Sequence, residues 1–153
     1  MSHIVPKDQL AEYIGKDIGT SEWMTIDQAA IDRFADATHD HQFIHVDAEK
    51  AAQTPLGSTI SHGFFTLSLL PHLMPAGAIA PEGTVMAINY GMNKLRFLQP
   101  VKVNSRIRAH GVISDIVEKK EGQYLITTDM TVEIEGEMKP ALIAQTLTLY
   151  MAP

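Results

Sequence analysis

The sequence predicts an α+β domain in which a curved antiparallel sheet wraps around one buried helix. The segment from Gly63 to Met74 is apolar around most of a helical circumference, which is typical of a helix buried on most sides. The second half of the chain instead alternates apolar and polar residues with the period of two expected of strands. Long antiparallel strands with one polar face need a cover on the other face, and we expect the helix from Gly63 to provide it.

Short helices and one short strand are predicted in the first third of the chain. Asp27 is a good N-cap residue, and apolar residues at helical spacing continue from it to Thr38. Asp47 caps a second, shorter helix that runs through Ala52. Trp23 lies in a short predicted strand and is expected to anchor the core. The remaining predictions for this region are a short amphipathic helix over 8–14, a strand over 21–26 and a turn over 54–57.

Several strands are predicted after the central helix. Pro71 lies inside that helix and should kink or end it, because proline lacks an N–H and clashes with the preceding turn. Gly91 is expected to break the first apolar stretch of this half into two strands. Glu121-Gly122 fits a hairpin turn between the two longest strands, and 135–137 fits the next turn. The predicted strands cover 85–90, 93–97, 103–113, 124–134 and 141–150.

The composition fits one globular domain and limits the classes of function. Residues 1–153 are interpreted as a single domain, with 45% hydrophobic and 20% charged residues. The formal net charge of −6 argues against nucleic acid as a partner, because such binders carry a basic excess. The absence of cysteine excludes disulfides and thiolate chemistry. Neither a secretory signal nor a membrane-spanning apolar run is present, so we expect a cytoplasmic protein with no membrane partner.

A carboxylate, an imidazole and a glycine amide form the candidate catalytic group. Asp40 and His45 lie five positions apart, and Gly63 stands where the buried helix should begin. Because an imidazole has an ordinary pKa of about 6.5 and a carboxyl group one of about 3.9, a neutral histidine beside an ionised aspartate is the default near pH 7. Such a pair moves protons, and a free N–H at a helix start stabilises a developing oxyanion. The pattern alone does not assign which group is the acid and which the base.

Three ordered sequence blocks resemble the MaoC-like (R)-specific enoyl-CoA hydratases, a family with the hotdog fold. The blocks are residues 40–45 (Asp-His-Gln-Phe-Ile-His), residues 61–64 (Ser-His-Gly-Phe) and residues 89–101 (Asn-Tyr-Gly to Pro-Val). Better-known members have asparagine and proline where this chain has Gln42 and Phe43. The form found here resembles the branch described as nodulation-protein-N-like.

The resemblance implies reversible addition of water to a trans-2-enoyl thioester, giving an (R)-3-hydroxyacyl thioester. Asp40 and His45 are then the catalytic pair, and Gly63 supplies the oxyanion donor. Coenzyme A, or the equivalent arm of an acyl carrier protein, enters only as part of the substrate, so no cofactor is expected. The resemblance also implies a homodimer, since hotdog domains generally pair edge to edge and an exposed sheet edge favours such pairing.

Four further residues are candidate substrate-binding groups. Ser61 is expected to cap the central helix, to form a polar wall of the site, or both. Gln42 stands where relatives have asparagine, and its amide is a candidate either to donate to the thioester or to orient the catalytic pair. Tyr90 and Gly91 are expected to line the acyl pocket, although a core tyrosine with a satisfied hydroxyl fits the same pattern. His62 is assigned a structural role.

Charged residues outside this group suggest phosphate contacts and no metal. The neighbours His39, Asp40 and His41 splay in different directions, so no metal site is expected. Basic side chains suit the phosphates of coenzyme A because they donate charged hydrogen bonds to phosphate oxygens. The candidates are Lys94, Lys102, Arg106 and Arg108.

Two other functions remain open at this point. A hotdog thioesterase usually places a carboxylate on the buried helix, but residues 63–74 contain neither aspartate nor glutamate. A binding module would hold acyl thioesters without converting them, and the changed Gln42 and Phe43 keep that alternative open.

Overall fold

The computed structural model describes residues 2–153, and its elements confirm the predicted α+β class. No helix in residues 2–153 is long and apolar enough to cross a membrane. The helical elements are a 3-10 helix (Lys7–Tyr13), α1 (Gln28–Thr38), α2 (Phe43–Val46), α3 (Ala48–Ala52) and α4 (Gly63–Ser68). The strands are β1 (His3–Val5), β2 (Asp17–Thr20), β3 (Met24–Thr25), β4 (Ile79–Pro81), β5 (Met86–Phe97), β6 (Arg106–Lys120), β7 (Gln123–Ile134) and β8 (Leu142–Met151).

Six strands form one antiparallel sheet. Its order is β2-β6-β7-β8-β5, and β3 pairs with β6 as well. The central ladder joins β6 to β7, from the Ile107–Ile134 pair to the Lys120–Gln123 pair. A separate parallel pair joins β1 to β4, which the sequence analysis did not predict. Strands of three residues are too short to produce a periodic pattern.

The predicted hairpin at Glu121-Gly122 is confirmed, since these two residues connect β6 to β7. Gly122 has a φ of +73°, which glycine adopts without the steric cost that a side chain brings. The predicted alternation is confirmed as well. Ile107, Ala109 and Met130 are almost fully buried, as expected for the face of the sheet that packs on the core.

The central helix is shorter than predicted, because α4 stops well before Met74. Pro71 has no N–H to donate, and the turn before it tightens: the Leu70 N–H donates to the Leu67 carbonyl at 3.1 Å. Phe64 is 66% exposed in this chain. The helix is therefore covered on fewer sides than its apolar composition indicates.

N-cap residues that are recognisable in the sequence begin two of the helices around the site. Asp27 accepts a hydrogen bond from the Ala30 N–H at 2.8 Å, so it caps α1 as predicted. Asp47 caps α3 in the same way, accepting from the Lys50 N–H at 3.0 Å. Both caps stabilise the short helices on either side of the chain segment that carries the candidate catalytic pair.

Trp23 is not the core anchor that its sequence position suggested. Its indole is only half-buried and lies 4.5 Å from the Arg108 guanidinium, in a cation–π contact. Ile26 is fully buried and supplies the core contact from this region instead. A tryptophan ring can cover a charged side chain at the surface as well as fill a core, and its position in the sequence does not distinguish the two.

The predicted break at Gly91 is wrong, because β5 is one continuous strand. Its pairing with β8 shifts register between Asn89 and Gly91, which is a bulge that keeps the strand intact. β5 stands at the end of the sheet order, so among residues 2–153 only one of its edges is paired. Almost every residue of this strand is exposed, including Ile88 and Met92.

Candidate active site

Asp40 lies just beyond the C-terminal end of α1. His39 ends that helix with a φ of +61°, and this left-handed conformation turns the chain toward α2. The Asp40 Oδ1 atom accepts a hydrogen bond of 3.3 Å from the Gln42 N–H. The carboxylate is 53% exposed, so water and substrate can reach it from outside.

His45 lies on α2 and is almost fully buried, with 6% of its surface exposed. Its Nδ1 atom is 2.8 Å from the main-chain carbonyl oxygen of Ile60. Because a carbonyl oxygen only accepts, Nδ1 must carry the proton, and a neutral ring then has its lone pair at Nε2. Gln28 holds the same short helix by donating to the His45 carbonyl at 2.7 Å. The structure thus fixes both the position and the tautomer of this imidazole.

The surroundings of His45 favour its neutral form. Burial lowers the pKa of the imidazole, and this is the largest effect. The hydrogen bond to Ile60 raises the pKa, the nearby His62 lowers it, and the nearby Asp40 raises it, with the net direction downward. A neutral imidazole with a free Nε2 lone pair is able to accept a proton.

The structure brings Asp40 and His45 together, and it adds His62 to them. One carboxylate oxygen of Asp40 and one ring nitrogen from each histidine lie within 4.8 Å of one another. The two imidazole rings are stacked, with centroids 3.8 Å apart and planes inclined by 24°. A single water molecule can hydrogen-bond to both the Asp40 carboxylate and the His45 ring when their atoms are this far apart.

The same three groups do not suit a shared metal ion. A ring nitrogen binds a metal along the lone pair in the plane of the ring. The stacked planes of His45 and His62 keep their lone pairs in separate layers, so they do not converge.

A cavity of about 390 Å³ opens beside His45. Gly63 lines it, and no acceptor among residues 2–153 takes the Gly63 N–H. That amide is therefore free to donate to a ligand. α4 is a short helix, so the N–H itself matters more here than the dipole of a long helix. The other lining residues, mostly apolar, are Ile60, Ser61, Phe64, Thr66, residues 97–101, Ala141 and Leu142.

Ser61 lies in the wall of this cavity but does not cap the helix. His62 occupies the N-cap position of α4, without a side-chain capping bond, so the capping role predicted for Ser61 is wrong. The Ser61 hydroxyl is buried and lies 3.1 Å from the His62 carbonyl and 3.2 Å from the Thr66 hydroxyl. It forms a polar wall of the site, which was the other prediction for this residue.

Three predicted substrate-binding residues do not line the cavity of their own chain. Gln42 is exposed and meets Asp40 through its main-chain N–H. Tyr90 is 52% exposed on β5, and its hydroxyl accepts a hydrogen bond of 2.8 Å from Lys119. Gly91 is exposed beside it at the bulge. A tyrosine on an edge strand has the same sequence pattern as one that faces a pocket, which is why the pattern misplaced it.

The basic candidates differ in their surroundings. Arg106 forms an ion pair with Glu135 at 3.0 Å, and Arg108 forms one with Glu133 at 2.7 Å. Lys102 is exposed and follows Val101, a residue of the cavity wall. Of the basic candidates, Lys102 is therefore the nearest in sequence to a residue of the cavity wall.

Two groups of site residues were missed by the sequence analysis. Phe97 and the residues after it line the cavity, although the sequence analysis used this part of their block only for the family resemblance. Gln28 supports His45 from α1, seventeen positions earlier in the chain. The block of residues 89–101 was a usable signal for the first group. No sequence signal exists for Gln28, because only tertiary packing brings α1 against α2.

Comparisons with known proteins agree with this architecture. A family model described as MaoC like domain matches residues 9–135. The chain is 48% identical over 137 residues to nodulation protein N of Rhizobium leguminosarum bv. viciae, covering 89% of this chain and 85% of that protein. It is 47% identical over 143 residues to 3-hydroxyacyl-thioester dehydratase Z of Mycobacterium tuberculosis, covering 94% of each.

The solved structures show the fold. The MaoC-like dehydratase from Rhodospirillum rubrum superposes with a TM-score of 0.73, and the match covers 96% of this chain and 97% of that one at 16% identity. The sheet and the short central helix therefore define the class of protein, a hotdog-fold domain of the MaoC-like kind. The chain belongs to the MaoC-like domain family, and within it the similarity to nodulation protein N confirms the predicted branch.

Proposed function

We propose that the protein catalyses the reversible, (R)-specific hydration of trans-2-enoyl thioesters to 3-hydroxyacyl thioesters. The observation that carries this proposal is the proximity of a catalytic pair to a cavity that holds a free N–H. A neutral imidazole from His45 and a free N–H from Gly63 line the cavity, and a carboxylate oxygen of Asp40 lies within 4.8 Å of a His45 ring nitrogen. These are the groups that addition of water to an enoyl thioester requires.

Each group has a step to perform in the proposed reaction. Asp40 and His45 hold one water between them, and the His45 Nε2 atom is free to take its proton as the oxygen attacks the β-carbon. The charge that develops on the thioester oxygen is stabilised by the Gly63 N–H. The catalytic pair then returns a proton to the α-carbon. One hydroxyl group and one hydrogen are added in total, so water is consumed with no other reagent.

The cavity supports an acyl thioester as the substrate. Its walls are mainly apolar, and the polar side chains among the lining residues are those of His45, Ser61, Thr66 and Gln99. A pocket of about 390 Å³ lies at the lower end of the roughly 300–1,000 Å³ range of small-molecule sites. Coenzyme A is the carrier we propose, with its phosphates outside the cavity and Lys102 as the nearest basic candidate. A related protein named 3-hydroxyacyl-thioester dehydratase supports the same substrate class.

We also propose that the working protein is a homodimer. The outer edge of β5 has no strand partner among residues 2–153, and the strand exposes Met86, Ile88 and Met92. An unpaired edge with apolar side chains is a site for pairing with another strand. A second copy of this chain offers the same edge, so the two copies are able to meet symmetrically.

A hydration assay with crotonyl-CoA tests the function directly. We expect the absorbance of the conjugated enoyl thioester to fall, and chiral analysis to identify the (R)-3-hydroxybutyryl product. Free thiol should not be released. Release of thiol would instead identify a thioesterase, and tight binding with no change in absorbance would identify a binding module. Either result would overturn the proposal.

A further inference from the structure

His62 is a buried titratable side chain to which the proposed reaction gives no task. It is 3% exposed and precedes Gly63, whose N–H is the proposed oxyanion donor. Its contacts join three parts of the site. The ring packs against Phe34 of α1 with centroids 4.9 Å apart and stacks on His45 of α2. His62 thus lies where the two helices and the start of α4 meet.

The two ring nitrogens of His62 have different surroundings. Nε2 is 3.0 Å from the main-chain carbonyl oxygen of Asp40. Because that oxygen only accepts, Nε2 carries the proton, and in the neutral ring Nδ1 has the lone pair. Nδ1 is buried and has no hydrogen-bond partner among residues 2–153. A buried polar atom without a partner is rare in proteins and requires an explanation. Here the bond at Nε2 fixes the ring, and this orientation leaves the Nδ1 lone pair without a donor.

Apart from His62, few contacts fix the position of Asp40. Its carboxylate is half-exposed, and the bond from the Gln42 N–H joins it only to its own loop. The carbonyl bond to His62 ties this loop to the buried part of the molecule. The same ring lies against the imidazole of His45, so one side chain contacts both members of the catalytic pair.

We propose that His62 is a positioning residue: its Nε2–H holds the Asp40 main chain while its ring supports the His45 ring, and together these contacts set the separation of the catalytic pair. This inference rests on the proposed roles of Asp40 and His45. It assigns His62 no proton transfer and no contact with the substrate. Its effect is on the geometry in which one water is held, and catalysis is sensitive to that geometry.

Two substitutions separate the hydrogen bond from the ring. His62→Phe keeps a planar ring that can stack on His45 but removes the N–H donor. His62→Gln keeps an N–H close to the position of Nε2 but removes the ring. We expect His62→Phe to lower kcat on the order of 10- to 100-fold with KM little changed, because a displacement near 1 Å has effects of this size. We expect His62→Gln to retain the higher kcat of the two.

The two His62 variants should rank in the opposite order in thermal stability from their order in kcat. A phenylalanine in this buried, partly aromatic site keeps the packing on Phe34, whereas glutamine loses it and buries a polar group. We therefore expect a higher Tm for His62→Phe and a higher kcat for His62→Gln. His72→Phe and His72→Gln are the matched controls, because His72 is exposed in the turn after α4, and both should keep wild-type kcat. If kcat follows Tm, or neither His62 variant changes kcat, the proposal is overturned.

A second measurement does not depend on activity. Nitrogen-15 spectra of the imidazole rings report which nitrogen of each histidine carries the proton, and we expect His62 to be protonated at Nε2. A ring protonated only at Nδ1 could not donate to Asp40, and that result would overturn the proposal even in an active enzyme. If the wild-type protein fails to hydrate enoyl thioesters, the proposed function fails, while the spectra still decide the contact made by His62.

Discussion

At the scale of single residues, the site depends on which atoms are left free. His45 has one nitrogen fixed by the Ile60 carbonyl and the other available. Gly63 has a main-chain N–H that no acceptor in residues 2–153 uses. Asp40 contributes a carboxylate that is open to solvent. The hydrogen bonds that the other atoms of these residues make determine which groups are free to react. Substitutions of single residues can therefore test the role of each group.

Removing either member of the catalytic pair should remove hydration. Asp40→Asn and His45→Gln keep the size of each side chain but not its capacity to exchange a proton, so we expect kcat to fall ~10²–10⁴-fold in each. Steady-state kinetics with crotonyl-CoA and a thermal melt measure the two effects. Asp36→Asn is a control for the aspartate, because Asp36 is exposed and bonded to His41. Full activity in both site variants would contradict the assignment of the pair.

The pH dependence of stability should identify His45. Burial lowers its pKa in the folded state, so the unfolded chain takes up the proton first as the pH falls. The resulting stability is present above the ordinary imidazole pKa of about 6.5 and is lost as the pH falls through the lower folded value. Urea unfolding at pH 7 and pH 5 should therefore show a smaller loss for His45→Gln than for the wild type. An equal loss in both proteins would show that His45 does not titrate in this way.

Two substitutions at Gly63 separate its N–H from its lack of a side chain. Proline is tolerated at the first position of a helix, and the N–H that it removes is unused by the helix. A Cβ at this position would lie 3.0 Å from the Phe97 ring in either variant, so Gly63→Ala controls for that contact. We expect Gly63→Pro to lose ~10²–10³-fold in kcat and Gly63→Ala to lose much less. Equal losses would mean that the amide donates to no oxyanion.

At the scale of elements, short helices place the site and their caps hold them. α1 carries Gln28 and Phe34, which contact His45 and His62. The cap at Asp27 was evident from the sequence because it depends on only a few neighbouring residues. The length of α4 was not evident from the sequence, because the end of a helix near a proline also depends on what the preceding turns pack against. The same limitation led to Gly91 being interpreted as a break when β8 holds the strand together around a bulge.

The cap of α1 is open to a stability measurement. Asp27→Ala removes the acceptor of the Ala30 N–H, and we expect the free energy of unfolding to fall by about 0.5–2 kcal/mol. Asp8→Ala is the control, because Asp8 is exposed in the first turn of the 3-10 helix and should change stability little. Urea titrations of both variants give the comparison. Equal stability of Asp27→Ala and wild type would show that the cap contributes nothing measurable.

At the scale of the whole molecule, the proposed homodimer depends on β5. A homodimer formed through this strand would bury apolar side chains that one chain leaves exposed. Ile88→Lys places a charge near the start of the strand, and we expect light scattering after size-exclusion chromatography to give the mass of a monomer. Met138→Lys is the control, since Met138 is fully exposed in a turn outside this strand. A dimer that survives Ile88→Lys unchanged would place the interface elsewhere.

Much of the fold was determined by the sequence alone. The period of two in β6 and β7, the Glu121-Gly122 turn and the caps at Asp27 and Asp47 are local properties, so neighbouring residues specify them. The sequence also supplied the three chemical groups of the candidate site and the family to which the chain belongs.

Only the tertiary structure decided how distant segments meet. It placed the His62 ring against both Asp40 and His45, lined the cavity with Phe97 and its neighbours, and left Tyr90 on an exposed edge. The physical reason is that periodicity specifies which face of an element is apolar but not which element covers it. A side chain's free atoms depend on the partners that folding brings to it, and those partners lie far away in the chain.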